Sequence, residues 1–176
     1  MAITIEELDG AAIESRLDEL ARLLLDAHAS GMALGLQAPL SREGARAAYV
    51  EAAARLTPGE RVLLGALDAG VLVGAVQVDR SEAGNGRHRG ELRRLIVRSD
   101  RRGAGVGSAL MTAAVEHARG MRLRLLWLST HEGTHADHFY ERLGWTRVGV
   151  IPDWAVLPSG DLAGNAFYFL RLANSD

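Results

Sequence analysis

Apolar residues recur along the chain with two different spacings, one typical of helices and one of strands. Together these spacings predict a mixed α/β fold. Apolar residues three to four positions apart, typical of one face of a helix, recur in four segments. These helices are predicted over residues 11–30, 41–56, 105–119 and 134–143. Shorter apolar or alternating segments, typical of strands, lie between them. These strands are predicted over residues 2–6, 61–67, 71–79, 91–97, 123–130, 145–151 and 166–172.

Capping and turn residues support those boundaries. Asp9 and Ser41 precede the first two helices, where their side chains can accept hydrogen bonds from free backbone N–H groups. Gly31 follows the first helix, as a helix-ending glycine does. The tripeptide at 68–70, Asp-Ala-Gly, separates two strands and predicts a β-hairpin. No linker or repeat interrupts the pattern, so we expect one domain over residues 1–176.

Composition excludes several reaction classes. The chain has 20 basic residues, all arginine, and no cysteine. Without lysine there is no Schiff-base nucleophile and no P-loop lysine. Without cysteine there is no thiol nucleophile, disulfide or thiolate metal site. Arginine in place of lysine is expected of a GC-rich genome, and so of a bacterial source.

Charge and hydropathy predict the compartment. The formal net charge is −2, which gives no support to nucleic-acid binding. Residues 1–7 are acidic and contain too short an apolar run for a secretory signal. No apolar run reaches the length of a membrane span. We therefore expect a cytoplasmic protein with neither a nucleic acid nor a membrane as partner.

A cluster of arginines nevertheless raises the question of an anionic ligand. Seven of them lie between residues 87 and 102, namely Arg87, Arg89, Arg93, Arg94, Arg98, Arg101 and Arg102. Strand alternation predicts Arg93 and Arg94 on opposite faces, and no aromatic residues are interleaved as they are in nucleic-acid sites. A positive field beside an anionic cofactor explains the cluster better.

Three glycines at alternate positions join a predicted strand to a predicted helix. Gly103, Gly105 and Gly107 allow positive φ and close approach of a ligand to the backbone. The free N–H groups of the following helical turn then form an anion site suited to a pyrophosphate. A purely structural turn that packs helix on strand is the alternative. The dinucleotide pattern G-x-G-x-x-G fails, because Ser108 or Leu110 stands where the third glycine belongs.

Three histidines have a spacing that resembles metal ligands. His135 and His138 could share one helix face, and His131 precedes them. No acidic or histidine partner is obviously placed to complete a site. We therefore expect no metal.

Two sequence blocks carry a family resemblance. Arg102-x-x-Gly105-x-Gly107, after an apolar strand that ends at residues 95–97, resembles the acetyl-CoA-binding motif of the GNAT superfamily of N-acetyltransferases. Residues 136–145, A-D-H-F-Y-E-R-L-G-W, resemble the family's A-x-x-F-Y-E-x-x-G-F block and follow in the family's order. Weaker matches along the chain are nearest to the branch that contains the tabtoxin-resistance acetyltransferase.

The resemblance implies a fold and a donor site. The fold is a mixed, mostly antiparallel sheet of six to seven strands with helices on both faces. The strand before the glycine turn and the strand after its helix are parallel and splayed, with acetyl-CoA between them. The implied cofactor-binding residues are Leu95, Ile96, Val97, Arg102, Gly103, Ala104, Gly105, Val106, Gly107 and Ser108.

The resemblance also implies N-acetylation of a small amine. Because an acetyl-cysteine intermediate is impossible here, direct attack in a ternary complex is the expected route. Tyr140 is the candidate acid for the departing thiolate, with a core tyrosine as the alternative. Glu91 is the candidate base, directly or through water, with a solvated strand-end acid as the alternative. A backbone N–H around Ile96 is expected to meet the oxyanion.

The acceptor side is less defined. Leu34, Gly35 and Trp154 are the candidate acceptor-binding residues, with core packing as the alternative. Gly133 stands where the family usually has asparagine, and Ser129 where some relatives have an acid. The expected acceptor is an amino-acid-like or antibiotic amine. A non-catalytic acyl-CoA sensor, a protein N-terminal acetyltransferase and a homodimer stay open.

Overall fold

A single seven-stranded sheet organises the computed structural model, which describes residues 3–36 and 38–173. Its strands are β1 (Ile3–Glu7), β2 (Arg61–Asp68), β3 (Val71–Arg80), β4 (Arg89–Val97), β5 (Leu125–His131), β6 (Thr146–Val156) and β7 (Leu162–Arg171). Their order is β1-β2-β3-β4-β5-β7-β6, and every neighbouring pair is antiparallel except β4–β5. The predicted mixed, mostly antiparallel sheet is confirmed.

Helices cover both faces of this sheet, as predicted. They are α1 (Gly10–Ser15), α2 (Leu17–Ala29), α3 (Arg42–Ala54), α4 (Val106–Gly120) and α5 (His135–Arg142). One apolar core lies between the sheet and α4 with α5, and contains Leu64, Val76 and Leu110. A second core lies between the sheet and α1–α3, and contains Leu24 and Leu63.

Helix α4 approaches the sheet closely at one glycine. A Cβ at Gly74 of β3 would lie 2.9 Å from the carbonyl oxygen of Ile96 and 3.0 Å from the Leu110 side chain. Any larger residue would therefore push α4 away from the sheet or distort β4. The start of α4 is thus fixed beside the end of β4.

The predicted helix over residues 11–30 is two helices, with a break at Arg16. Asp9 caps the first one as predicted, its carboxylate accepting from the Ala12 N–H at 2.8 Å. Arg16 leaves helical geometry at φ −107° and ψ 13°, and its guanidinium donates to the Gly70 carbonyl. Apolar spacing continues through the break, from Ile13 to Leu20, so periodicity alone could not locate it.

Strand β6 is longer than predicted and runs through a proline. It continues to Val156, past Pro152 and Asp153, with a register shift between Ile151 and Ala155. Proline is tolerated there because β6 is an edge strand and the ladder is interrupted at that point. Among the helices that the structure describes, none is long and apolar enough to cross a membrane.

Candidate functional site

The site begins where two parallel strands separate. Strands β4 and β5 pair only over three positions, from Arg89 opposite Leu125 to Glu91 opposite Trp127. Beyond Glu91 the strands diverge, as predicted, and a cleft of about 2440 Å³ opens there. The glycine turn, the exposed edge of β4, helix α5 and the loop after α2 all line it.

The glycine turn presents free backbone groups to this cleft. Gly103 and Gly105 have φ of +77° and +83°, and a Cβ at either would meet no atom within 4 Å. Gly105 is the N-cap of α4, and within residues 3–36 and 38–173 no side chain accepts a hydrogen bond from the first-turn N–H groups. These N–H groups and the positive end of the helix dipole therefore face open space, as an anion site requires.

Side chains anchor the turn to the end of α2. Arg102 donates through Nε to the Val97 carbonyl at 3.1 Å and through Nη2 to Ser30 Oγ at 3.2 Å. The Asp26 carboxylate accepts from the Ser99 N–H at 2.8 Å and from its hydroxyl at 2.7 Å. The turn is therefore held in place before any ligand arrives.

Most of the predicted cofactor-binding residues line the cleft. Those that do are Leu95, Val97, Arg102, Gly103, Gly105, Gly107 and Ser108. Ile96 and Val106 are instead buried in the two cores, and Ala104 is exposed outside the cleft lining. These three can reach a ligand in the cleft only through their backbones.

A β-bulge reshapes β4 where it borders the cleft. Ala75 of β3 lies opposite Ile96, whereas Gln77 lies opposite Arg93, so Arg94 and Leu95 share a single partner position. Arg94 takes φ +50°, a left-handed conformation that costs a non-glycine residue roughly 1 kcal/mol. Bulges of this kind re-aim side chains and are common next to active sites.

The bulge corrects the expected directions of two arginines. Arg93 contacts Asp79 at 3.5 Å, on the sheet face that α1–α3 also occupy. Arg94 lies beside Tyr49 of α3, so it is on that face too. The two side chains therefore share a face, because the bulge interrupts the alternation that sequence spacing assumed.

The ladder indicates which backbone N–H around Ile96 faces the cleft. The Arg98 N–H donates to the Val73 carbonyl at 2.9 Å, so in this antiparallel pair the backbone groups of Ile96 face β3 as well. Val97 lies between them and faces the other way, and its carbonyl accepts from Arg102. The N–H that faces the cleft is therefore that of Val97.

Tyr140 of α5 lines the cleft from the α4–α5 side of the sheet. It is 6% exposed and packs edge-to-face on Trp145, with ring centroids 6.2 Å apart. Burial, and secondarily the nearby Tyr168, raise the pKa of Tyr140 well above its ordinary value of 10.0. The phenol is therefore protonated at neutral pH, which is the form that a proton donor needs.

A buried carboxylate fixes the position of α5. Asp137 accepts hydrogen bonds from the Tyr168 hydroxyl and, at 3.1 Å, from the Gly133 N–H, and lies 3.6 Å from Arg147. Burial alone would raise the pKa of Asp137, but these contacts hold that pKa below its ordinary value of 3.8. Asp137 therefore ties α5 to both β7 and the turn after β5.

Glu91 occupies the point where β4 and β5 part. It is half-buried, and this burial raises the pKa of its carboxyl above the ordinary 4.5, although Arg93 at 3.5 Å opposes the shift. Glu91 lines both the main cleft and a smaller groove of about 670 Å³. That groove also includes Arg61, which shares a face of β2 with Leu63 of the α1–α3 core. Glu91 thus reaches the face opposite Tyr140.

The predicted acceptor residues, Leu34, Gly35 and Trp154, all line the main cleft. The Trp154 ring is 52% exposed and packs edge-to-face on Phe167, with centroids 5.0 Å apart. The cleft therefore offers a ligand an aromatic and aliphatic wall.

Sequence reasoning missed a polar network on the same wall. Asn165 of β7 is 7% exposed; it donates to Ser129 Oγ at 3.2 Å, and its oxygen lies 2.9 Å from His131 Nδ1. The only sequence signal was an asparagine within an otherwise apolar strand. His131 is thereby engaged with an amide. Within residues 3–36 and 38–173, no three histidine or acidic residues form a cluster that could hold a metal ion.

Most of the arginine cluster is paired with nearby carboxylates. The pairs are Arg87 with Glu60, Arg93 with Asp79, Arg98 with Asp100 and Arg101 with Asp68. Only Arg93, Arg94 and Arg102 of the seven are among the residues that line the main cleft. The cluster therefore does not form one continuous basic surface.

Comparison with known proteins identifies the family. The profile of the acetyltransferase (GNAT) family matches residues 19–145, which include the glycine turn and α5. A Methanocaldococcus jannaschii protein, named as an uncharacterized N-acetyltransferase, is 39% identical over 66 residues. That match covers 36% of this chain, and the chain spans only 29% of the length of this curated relative.

Two solved structures share the fold over nearly the whole chain. A ribosomal-protein-alanine N-acetyltransferase from Brucella melitensis has a TM-score of 0.79 at 23% identity, covering 96% of this chain and 99% of that one. A Salmonella typhimurium protein solved with its cofactor acetyl-CoA has a TM-score of 0.79 at 19% identity, covering 98% and 95%. At these identities the likeness shows the fold alone.

Proposed function

The chain belongs to the GNAT family of acetyltransferases, and on this premise we propose that it moves an acetyl group from acetyl-CoA to the primary amine of a small molecule. The observation that carries the proposal is that one cleft joins the glycine turn, the parted strands, Glu91 and Tyr140. The same cleft thus offers an anion site, an exposed strand edge, a base and an acid.

The donor end of the cleft fits a pyrophosphate-bearing thioester. The uncapped first turn of α4, opened by Gly103 and Gly105, would hold the pyrophosphate through backbone N–H groups. The freed edge of β4 would hold the pantetheine arm by backbone hydrogen bonds. A chain without lysine thus binds phosphate through its backbone, with Arg102 fixing the turn.

Bound acetyl-CoA supplies an acetyl thioester, whose acetyl group passes to the amine as the C–S bond breaks. Glu91 accepts the proton that the amine loses, directly or through one water, and its raised pKa makes it a stronger base than an exposed carboxylate. Tyr140 donates its phenolic proton towards the sulfur. The Val97 N–H stabilises negative charge on the carbonyl oxygen.

The acceptor enters from the other end in this proposal. Leu34, Gly35 and Trp154 would contact it, and Glu91 is open to this side through the smaller groove. An amino-acid-like or antibiotic amine is the class of acceptor proposed. We propose direct transfer in a ternary complex, because the absence of cysteine excludes an acetyl-cysteine intermediate.

We propose that residues 1–176 form one acetyltransferase domain. One sheet contains both β1 and β7, which supports this proposal. A bacterial source and a cytoplasmic location remain predictions. A homodimer likewise stays a prediction.

Acceptor-dependent thiol release tests the proposed function. The protein is incubated with acetyl-CoA and, in separate arms, a panel of small primary amines and a panel of unblocked peptides. We expect free CoA to appear only with an acceptor and faster with small amines. Turnover confined to peptides would favour a protein N-terminal acetyltransferase. Tight acetyl-CoA binding without turnover in either arm would favour an acyl-CoA sensor.

A further inference from the structure

The bulge of β4 places one arginine in a position that the proposed mechanism leaves without a role. Arg94 is half-buried, lines the main cleft and sits in a left-handed backbone conformation. Strained non-glycine residues at a cleft persist only where the surrounding structure enforces them. The question is what this guanidinium binds.

Arg94 has no hydrogen-bond or ion-pair partner for its side chain among the residues that the structure describes. Its Nε is fully buried without a hydrogen bond, and so is the hydroxyl of the adjacent Tyr49. This distinguishes Arg94 from Arg93, whose guanidinium contacts Asp79 and Glu91. Buried charged groups in proteins are normally paired, so a half-buried guanidinium without a partner is suited to binding an anionic ligand.

The carboxylates around Arg94 are already engaged. The titratable groups that act on it are Tyr49, Arg93, Asp79 and Glu51, and burial is the largest influence, lowering the pKa of Arg94. Asp79 accepts from Arg61 and from Gln77, each at 2.7 Å. Glu51 pairs with Arg55 at 2.7 Å on the surface of α3. Neither carboxylate is therefore free to neutralise Arg94.

The spacing of Glu91 and Arg94 along β4 sets how far apart the proposed base and this cation lie. Arg94 lies three residues after Glu91, which is roughly 10 Å of extended strand and less across a bulge. A small molecule with an amine near Glu91 and an anionic group a few bonds away can contact both. On this face the cleft lining includes the apolar Leu34 and Leu36, which pack against the α1–α3 core that contains Tyr49.

We propose that Arg94 binds the carboxylate of the acceptor, so that the acceptor is an α-amino acid, or a close analogue, with an apolar side chain. This inference rests on the proposed function, because it names the substrate class of the same cleft. A bidentate guanidinium–carboxylate pair would orient the amine towards Glu91. Cationic acceptors such as polyamines would instead be repelled by Arg94 and Arg93.

Calorimetry on the CoA-bound protein tests the assignment. L-leucine, L-methionine and L-phenylalanine are each titrated against the corresponding amide, which keeps the amine and side chain but lacks the carboxylate. We expect at least one of the acids to bind, and its amide to bind roughly tenfold or more weakly. Equal binding of acid and amide, or binding of none of the acids, would overturn the proposal.

Variants of Arg94 separate recognition from folding. Arg94→Gln should weaken binding of the amino acid by roughly tenfold or more, leaving affinity for CoA unchanged. Arg94→Lys keeps the positive charge and should retain part of the amino-acid binding. This variant provides the test if Arg94→Gln does not fold. Arg119→Gln, an arginine variant on the exposed surface of α4 and outside the cleft lining, should match wild type. Unchanged amino-acid binding in folded Arg94→Gln would contradict the proposal.

A parallel thiol-release assay keeps the two hypotheses distinct. If amino acids bind through Arg94 but no CoA is released with any amine, the acetyltransferase proposal fails and the carboxylate site stands. If simple amines are acetylated as well as amino acids and Arg94→Gln has no effect on selectivity, the acetyltransferase stands and the carboxylate site fails.

Discussion

At the scale of residues, the proposed chemistry assigns an acid and a base, and burial raises the pKa of both. Burial raises the pKa of the Tyr140 phenol, which keeps it protonated as an acid. Burial also raises the pKa of the Glu91 carboxyl, which strengthens it as a base. The groups approach one cleft from opposite faces of the sheet. The parting of β4 and β5 gives both faces access to the same point.

Replacing Tyr140 by phenylalanine tests the acid. The change removes one hydroxyl and keeps the ring contacts with Trp145 and Tyr168. We expect kcat to fall by roughly tenfold or more, with little change in the Kd for acetyl-CoA measured by calorimetry. An unchanged kcat would remove Tyr140 from the mechanism.

The pH profile of kcat/KM tests the base. Because the pKa of Glu91 is raised, activity should be low at acid pH and rise as the carboxyl loses its proton at a pH above the ordinary 4.5. Glu91→Gln should lower kcat by about a hundredfold at neutral pH and abolish this rise. If Glu91→Gln keeps the wild-type rise of kcat/KM on the acid side of the profile, that rise belongs to the titration of another group.

At the scale of elements, the informative departures from sequence expectation lie on β4 and β6. Glycine spacing and apolar strand patterning predicted the strand–turn–helix unit, because both are local. The bulge at Arg94 could not be predicted, since it depends on how β3 pairs with β4. The extension of β6 through Pro152 was missed for the same reason, because an edge position is a property of the whole sheet.

A valine at Gly105 tests the glycine turn. Gly105 has φ +83°, which valine adopts only under strain, and its open side is where a pyrophosphate would lie. We expect calorimetry to detect no acetyl-CoA binding by Gly105→Val. Gly59→Val is the matched control, because Gly59 has φ +75° and open space but does not line the cleft. Equal acetyl-CoA affinity in both variants would refute the pyrophosphate assignment.

Asp137 links the position of α5 to acid stability. Its contacts lower its pKa below 3.8, so its contribution to stability is present above that pH and is lost as the pH falls through the lowered value. Asp137→Asn should reduce the free energy of unfolding by about 1–3 kcal/mol at pH 7. It should also flatten the acid dependence between about pH 5 and pH 2 in urea titrations. Identical acid profiles would show that Asp137 contributes little to this stability.

At the scale of the whole molecule, the sequence specified the fold far better than the site. Apolar periodicity and two motif blocks sufficed for the mixed sheet with helices on both faces. The resemblance to the tabtoxin-resistance branch is still a prediction. Sequence reasoning named Arg94, Ser129 and His131, but it could not show that Arg94 lacks a partner among the described residues or that Asn165 joins Ser129 to His131. Such contacts depend on neighbours in space.

Mass spectrometry of the acceptor after incubation with isotopically labelled acetyl-CoA tests the central claim most directly. The wild-type protein should transfer the labelled acetyl group to the nitrogen of a small amine, and Tyr140→Phe and Glu91→Gln should do so far more slowly. Absence of label from every small amine, while the protein still binds acetyl-CoA, would contradict the account. Equal transfer by wild type and both variants would contradict the proposed roles of Tyr140 and Glu91.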